Sequence, residues 1–172
     1  MAIQSILNLG DPGLWKKCQA VKSFKSTETR QIIRDLEDTL VDFKRRNGFG
    51  RAIAAPQIGV LKRIIYIDFP KEDISGAMIN PKITWQGEEK IQLWDDCFSF
   101  PDLMVKVERS REIEVEYTSG KGEKRLIEAK GDLAELLQHE IDHLDGILAV
   151  ERAIDGKSFA FRSEWKKYWQ ER

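Results

Sequence analysis

Apolar positions Ile32, Ile33, Leu36, Leu40 and Phe43 recur at three- and four-residue spacing, which predicts an amphipathic helix over residues 27–46. Ser26 or Thr27 is placed to cap it, and Asn47-Gly48 to end it, because both tolerate positive φ. A Gly/Ala-rich segment, Gly48 to Gly59, breaks the period. Arg63 to Asp68 is then an apolar run rich in β-branched residues, which suits a buried strand. Lys71 to Ala77 predicts a polar loop, Met78-Ile79 leads into Asn80-Pro81, Lys82 to Gln86 predicts a strand, and Gly87-Glu88-Glu89 a turn. Residues 103–109 and 111–118 alternate, with Ile113, Val115 and Tyr117 in phase, as half-buried strands do. Ser119-Gly120-Lys121-Gly122 is a hairpin signal, with Arg125 to Lys130 as the return strand.

Helical spacing returns at about 133–144 through Leu133, Leu136, Leu137, Glu140 and Ile141, behind Asp132 as cap and before Gly146 as stop. From residue 158, Phe161, Trp165, Tyr168 and Trp169 share one helical face, which predicts a C-terminal helix docked on the body. Residues 5–21 predict an irregular lead-in, with a turn at Asp11-Pro12-Gly13 and core contacts at Leu14 and Val21. The pattern as a whole predicts an α+β fold, with strands and hairpins packed around a central helix at 133–144.

Length and composition narrow the class. The chain has 172 residues, 41% of them apolar, which predicts a single domain over 1–172 with a sizeable core and no need of disulfides. A net charge of −1 argues against direct nucleic-acid binding and against a polybasic membrane anchor. The sequence from Met1 to Ser5 shows no signal peptide, and runs such as Ile64 to Ile67 are too short to span a bilayer. Two cysteines, Cys18 and Cys97, are too few for a disulfide scaffold, so a reducing cytoplasm is expected.

Both histidines lie in His139-Glu140-Ile141-Asp142-His143. On a helix, i and i+4 share a face, so the two imidazoles can hold one metal ion while Glu140 reaches a water as general base. The plain alternative is two surface histidines on an amphipathic helix. A catalytic site of this type needs a third ligand. No third histidine exists, so Cys, Asp or Glu must supply it. Cys97 leads because a thiolate is a strong ligand for Zn²⁺ or Fe²⁺. Cys18 competes, with a small buried hydrophobe as its simpler role, and Glu164 is the zincin-like option. In Gly50 to Gln57, small residues let a backbone approach a ligand, and Gln57 can offer an amide N–H to a developing oxyanion.

Three segments in order, Gly50 to Gln57, Asp95-Asp96-Cys97-Phe98-Ser99 and His139 to His143, resemble the signatures of the peptide deformylase family. Those signatures are Gly-x-Gly-Leu-Ala-Ala-Pro-Gln, Glu-Gly-Cys-Leu-Ser and His-Glu-x-x-His. The third is a full match, extended by Gln138, Asp142, Leu144 and Gly146. Asn80-Pro81 and Arg109 also sit where the family pattern has an Asn-Pro and an Arg. The resemblance covers roughly residues 5–150, and the tail is similar to that of deformylases ending in a C-terminal helix.

It implies that Cys97, His139 and His143 bind one divalent metal ion, Fe²⁺ in the cell with Zn²⁺, Ni²⁺ or Co²⁺ as substitutes. Glu140 would take a proton from water and return it to the leaving amine. Gln57 and the backbone N–H of Phe98 would hold the oxyanion, with Asp95, Arg109 and Asp142 in support. The implied substrate is the N-formyl group on methionine of nascent chains, with the ribosome as an implied partner.

Departures from the family pattern fall around the substrate. Asp95 and Asp96 replace Glu and Gly, Phe98 replaces Leu, and Ala52 replaces the second Gly; Ala52 and Asp96 thus add side chains where the family uses Gly to let the peptide backbone lie close. Arg51 and Glu135 stand at positions that are apolar in the family and line its methionine pocket. An unpaired charge there is costly, so the two are expected to pair with each other or to face solvent. Two rivals follow: a deformylase-like amidase acting on another formyl or acyl amide, and a metal-retaining binding protein without turnover.

Overall fold

The computed structural model describes residues 3–170. In chain order the elements are α1 (Thr27–Asn47), β1 (Ala52–Ala54), β2 (Ile64–Phe69), β3 (Ile74–Gln86), β4 (Lys90–Asp96), β5 (Leu103–Ser110), β6 (Glu112–Ser119), β7 (Lys124–Lys130), α2 (Gly131–Leu144), β8 (Phe159–Phe161) and α3 (Arg162–Tyr168). The fold is α+β, as the pattern predicts. An antiparallel five-stranded sheet runs in the order β1-β2-β3-β6-β7, and a second sheet runs β4-β5-β8.

The two long helices lie on opposite faces of the larger sheet, and β2 shows why. Its side chains alternate: Ile65 and Ile67 join the cluster of α2, while Ile64 and Tyr66 join that of α1. α1 contributes Ile32, Leu36, Leu40 and Phe43. Its N-terminus is capped by the Ser26 hydroxyl accepting from Thr29 N–H, and its C-terminus by left-handed Gly48. α2 buries eleven of its fourteen residues, among them Leu133, Leu137, Ile141 and Leu144 against the sheet. It therefore carries polar side chains into the interior. Gln138 satisfies its own amide there, donating to the Ser110 and Ala134 carbonyls and accepting from Ser110 N–H, which latches α2 to the end of β5.

Several expectations from the pattern need correction. The Gly/Ala-rich segment contains β1, which is too short to show a period. β3 begins at Ile74, inside the expected polar loop, and runs through Asn80-Pro81 with a register shift between Ile79 and Lys82. Asn80 adopts φ 52°, and its side-chain amide replaces the lost ladder bonds by pairing with Val21 N–H and C=O. β4, which delivers the chain to Cys97, was not anticipated. α2 starts at Gly131, so Asp132 lies in its first turn, paired with Lys71, and does not cap it. Residues 159–161 form β8, paired with β5, so the aromatic stripe spans a strand and a short helix. Docking is partial: Phe161 and Tyr168 stay exposed, and Trp169 meets Trp94 at 5.7 Å between rings.

Candidate metal centre and substrate cleft

α2 presents His139, Glu140 and His143 toward the turn that follows β4. Phe100 N–H closes that turn onto the Cys97 carbonyl, holding Cys97 over the helix. Cys97 Sγ lies 3.2 Å from His143 Nε2, which lies 3.2 Å from His139 Nε2. All three residues are buried. Cys97 is the candidate side chain placed beside both histidines. Cys18 packs in the apolar cluster under α2, and burial pushes its thiol up to about 11. Glu164 is on the exposed face of α3, paired with Lys167.

The ligand side chains are braced from behind. His139 Nδ1 is 2.8 Å from Asp95 Oδ1, and Arg109 bridges Asp95 and Asp142 at 2.9 and 2.8 Å. Arg152 closes the outer side of Asp142. Burial alone would raise the Asp95 carboxyl, but His139 and Arg109 hold it well below the ordinary carboxylate range. Burial likewise opposes a charge on His139, yet adjacent Asp95 keeps its pKa well above the usual value. Burial, reinforced by His139, holds His143 well below its usual value, so its ring stays neutral with a lone pair free to coordinate.

The residues fit a divalent cation. A sulfur and two imidazole nitrogens converge at distances where each can supply a lone pair to the same point, His139 once its Nε2 proton is displaced. Glu140 Oε2 is buried with no hydrogen-bond partner among the described residues, which is costly unless something occupies the space it faces. Burial pushes the Glu140 carboxyl up to about 7, a value suited to moving a proton at neutral pH. One soft thiolate with two imidazoles suits Fe²⁺, Zn²⁺, Ni²⁺ or Co²⁺ and not the oxygen-seeking Mg²⁺ or Ca²⁺. Asp95, Glu135 and His139 also bring ligand atoms within 4.8 Å of one another. Both of those carboxylates are already taken up by arginines.

A cleft of about 420 Å³ opens onto the centre, bounded by Lys44, Phe49, Gly50, Arg51, Ala52, Gln57, Asp96, Cys97, Phe98, Glu135, Leu136, His139 and Glu140. Gln57 is fixed by accepting Ala54 N–H at 2.9 Å through Oε1, which turns its Nε2 toward Cys97 Sγ (3.5 Å) and Ser99 Oγ (3.4 Å). The Phe98 ring stacks on Phe43, with centroids 3.7 Å apart. Gly50 has φ +133°, and a Cβ there would sit 2.6 Å from Phe98 Cζ. The cleft therefore needs glycine at this point. Ala52 is buried in β1 and fits beside it. Arg51 and Glu135 do pair, at 2.7 Å. Asp96 turns to Arg162 at the start of α3, whose guanidinium lies 4.0 Å above the Phe49 ring.

Every site residue expected from the sequence thus lies at the centre, in the cleft or in the bracing network. Ser99, Phe49, Leu136, Arg152 and Arg162 were not anticipated. Ser99 adjoins the Cys97 motif and Leu136 falls on the ligand face of the helix, so both had a signal. Arg152 and Arg162 had none, because the loop after α2 carries Arg152 back to Asp142 and the pairing of β8 with β5 carries Arg162 to Asp96. A cleft of about 480 Å³ between Asn80, Glu116 and Arg125 holds none of the ligand set.

The profile of the polypeptide deformylase family matches residues 3–159. Peptide deformylase 2 of Clostridium perfringens is 37% identical over 153 residues, covering 89% of this chain and 94% of the relative. The peptide deformylase of Endomicrobium trichonymphae is 38% identical over 169 residues, covering 97% and 96%. The Thermotoga maritima peptide deformylase crystal structure superposes with a TM-score of 0.81 at 32% identity, covering 90% of this chain and all of the other. That of Synechococcus elongatus in complex with actinonin gives 0.83 at 32% identity, covering 97% and 86%. With its fold, its ligand set and its near-full-length relatives in agreement, the chain belongs to the polypeptide deformylase family.

Proposed function

We propose that the chain hydrolyses the N-formyl amide at the N-terminus of nascent polypeptides, formylmethionine being the expected first residue, and that it does so in the cytoplasm near the ribosome. The observation that carries this is the convergence of Cys97 Sγ with the two histidine Nε2 atoms, at 3.2 Å steps, beside Glu140 Oε2, which has no hydrogen-bond partner among the described residues. No helix among the described residues is long and apolar enough to cross a membrane.

Cys97, His139 and His143 would hold the ion. A divalent ion there would supply positive charge to polarise the formyl carbonyl and lower the pKa of water toward about 7. Glu140 accepts the proton of the attacking water and delivers it to the departing amine, a role for which its raised pKa suits it. Gln57 Nε2, already turned toward the sulfur, and the backbone N–H of Phe98 donate to the oxyanion of the tetrahedral species. Asp95 fixes the His139 tautomer so that Nε2 faces inward, and Arg109 with Asp142 fixes Asp95.

Protein purified without oxygen and loaded with Fe²⁺ or Ni²⁺ is expected to release formate from formyl-Met-Ala-Ser. Stoichiometric metal with no release from any formyl amide contradicts the proposal and favours a binding protein.

A further inference from the structure

Arg51 and Glu135 meet across the cleft beside the candidate ligands, so they bear on which side chain can follow the formyl group. This point rests on the hydrolase reading above. Glu135 sits one helical turn before His139, and its carboxylate lies within 4.8 Å of ligand atoms of Asp95 and His139. Arg51 comes from the loop before β1 and donates from Nη2 to Glu135 Oε2 at 2.7 Å. The Glu135 side chain is 5% exposed and that of Arg51 36%, so the carboxylate is closed off while the guanidinium faces the cleft. Only Nη2 of Arg51 has a protein hydrogen-bond partner among the described residues. The neighbouring charges are engaged elsewhere, Asp96 with Arg162 and Lys44 with Asp68.

An apolar side chain laid against this wall strips water from the remaining Arg51 N–H groups and returns no acceptor, an unfavourable exchange. A side chain of similar length that ends in an acceptor returns the hydrogen bond. Because Glu135 already neutralises Arg51, a neutral acceptor suits the wall better than a carboxylate, which would face Glu135 at close range. We infer that the Arg51–Glu135 pair is a specificity determinant: the cleft takes a formylated peptide whose first side chain ends in a neutral hydrogen-bond acceptor, glutamine-like in length, at least as well as one that begins with methionine.

The test compares kcat/KM for formate release from formyl-Met-Ala-Ser, formyl-Gln-Ala-Ser and formyl-Glu-Ala-Ser by the metal-loaded full chain. The wild type is expected to use the glutamine peptide at least as well as the methionine peptide, with the glutamate peptide poorest. The double variant Arg51→Leu/Glu135→Leu is expected to move the methionine-to-glutamine ratio toward methionine by about tenfold or more. A wild-type preference for methionine over glutamine overturns the inference and leaves the hydrolase reading standing. Formate from none of the three overturns both. The wild-type ratio decides the matter even where the double variant does not fold.

Discussion

Replacing Arg109 with methionine removes the cation that holds Asp95 and Asp142 together behind His139. The arginine donates to Asp95 at 2.9 Å and to Asp142 at 2.8 Å, and the three side chains are 4%, 1% and 13% exposed. Methionine fills much of the volume but leaves buried Asp95 with His139 alone, and Asp142 with Arg152 alone, to compensate its charge. Breaking a buried ion pair by removing one partner costs about 3–5 kcal/mol. For a chain of this length each kcal/mol moves the melting temperature by about 2–4 °C, so a fall of roughly 6–20 °C is expected. The assay is calorimetric or circular-dichroism melting of metal-stripped protein, so that altered metal affinity does not contribute. Adding Asp95→Asn and Asp142→Asn to Arg109→Met removes the stranded charges and should recover most of the loss. A melting temperature for Arg109→Met within 2 °C of wild type refutes the argument that this network braces the site.

Glu140→Gln keeps its size and loses its proton-carrying oxygen, so it is expected to retain stoichiometric metal while formate release falls about 10²- to 10⁴-fold; metal analysis and the formate assay check both halves. Gly50→Ala forces a Cβ to 2.6 Å from the Phe98 ring at φ +133°; reduced stability and activity are expected, partly relieved by adding Phe98→Leu and read by melting and kcat/KM. Cys18 has its pKa raised by burial from 9.0 to about 11, so the folded state keeps a proton there that the unfolded state releases. The stability this represents is complete below pH 9 and is lost as pH rises to about 11. At about 1.4 kcal/mol per pKa unit that is roughly 2–3 kcal/mol. Urea titrations across this range should show a decline in the wild type that is smaller by that amount in Cys18→Ala.

What the sequence revealed depended on how local its signal was. The amphipathic run from Ile32 to Phe43 and the His139 to His143 motif each encode their geometry within one helix, and both were legible. Cys97 could be proposed as a ligand from chemistry, but Cys18 could be dismissed only once the fold separated the two. β1 has three residues and owes its existence to pairing with β2. β3 passes through Asn80-Pro81, a sequence that reads as a break, because Asn80 borrows hydrogen bonds from Val21, a residue 59 positions away. In the aromatic tail the helical period is present, but Phe161 is held as a strand residue by pairing with Leu103. Arg51 and Glu135 were expected to pair or face solvent, and only the structure, closing 84 residues of chain, decided it.

X-ray absorption spectroscopy at the metal edge of the anaerobically loaded protein tests the central claim most directly. One sulfur and two imidazole nitrogens are expected around a single ion, with the sulfur lost in Cys97→Ser and kept in Cys18→Ser. A shell of nitrogen and oxygen alone in the wild type, or a sulfur that disappears with Cys18 in place of Cys97, contradicts the account.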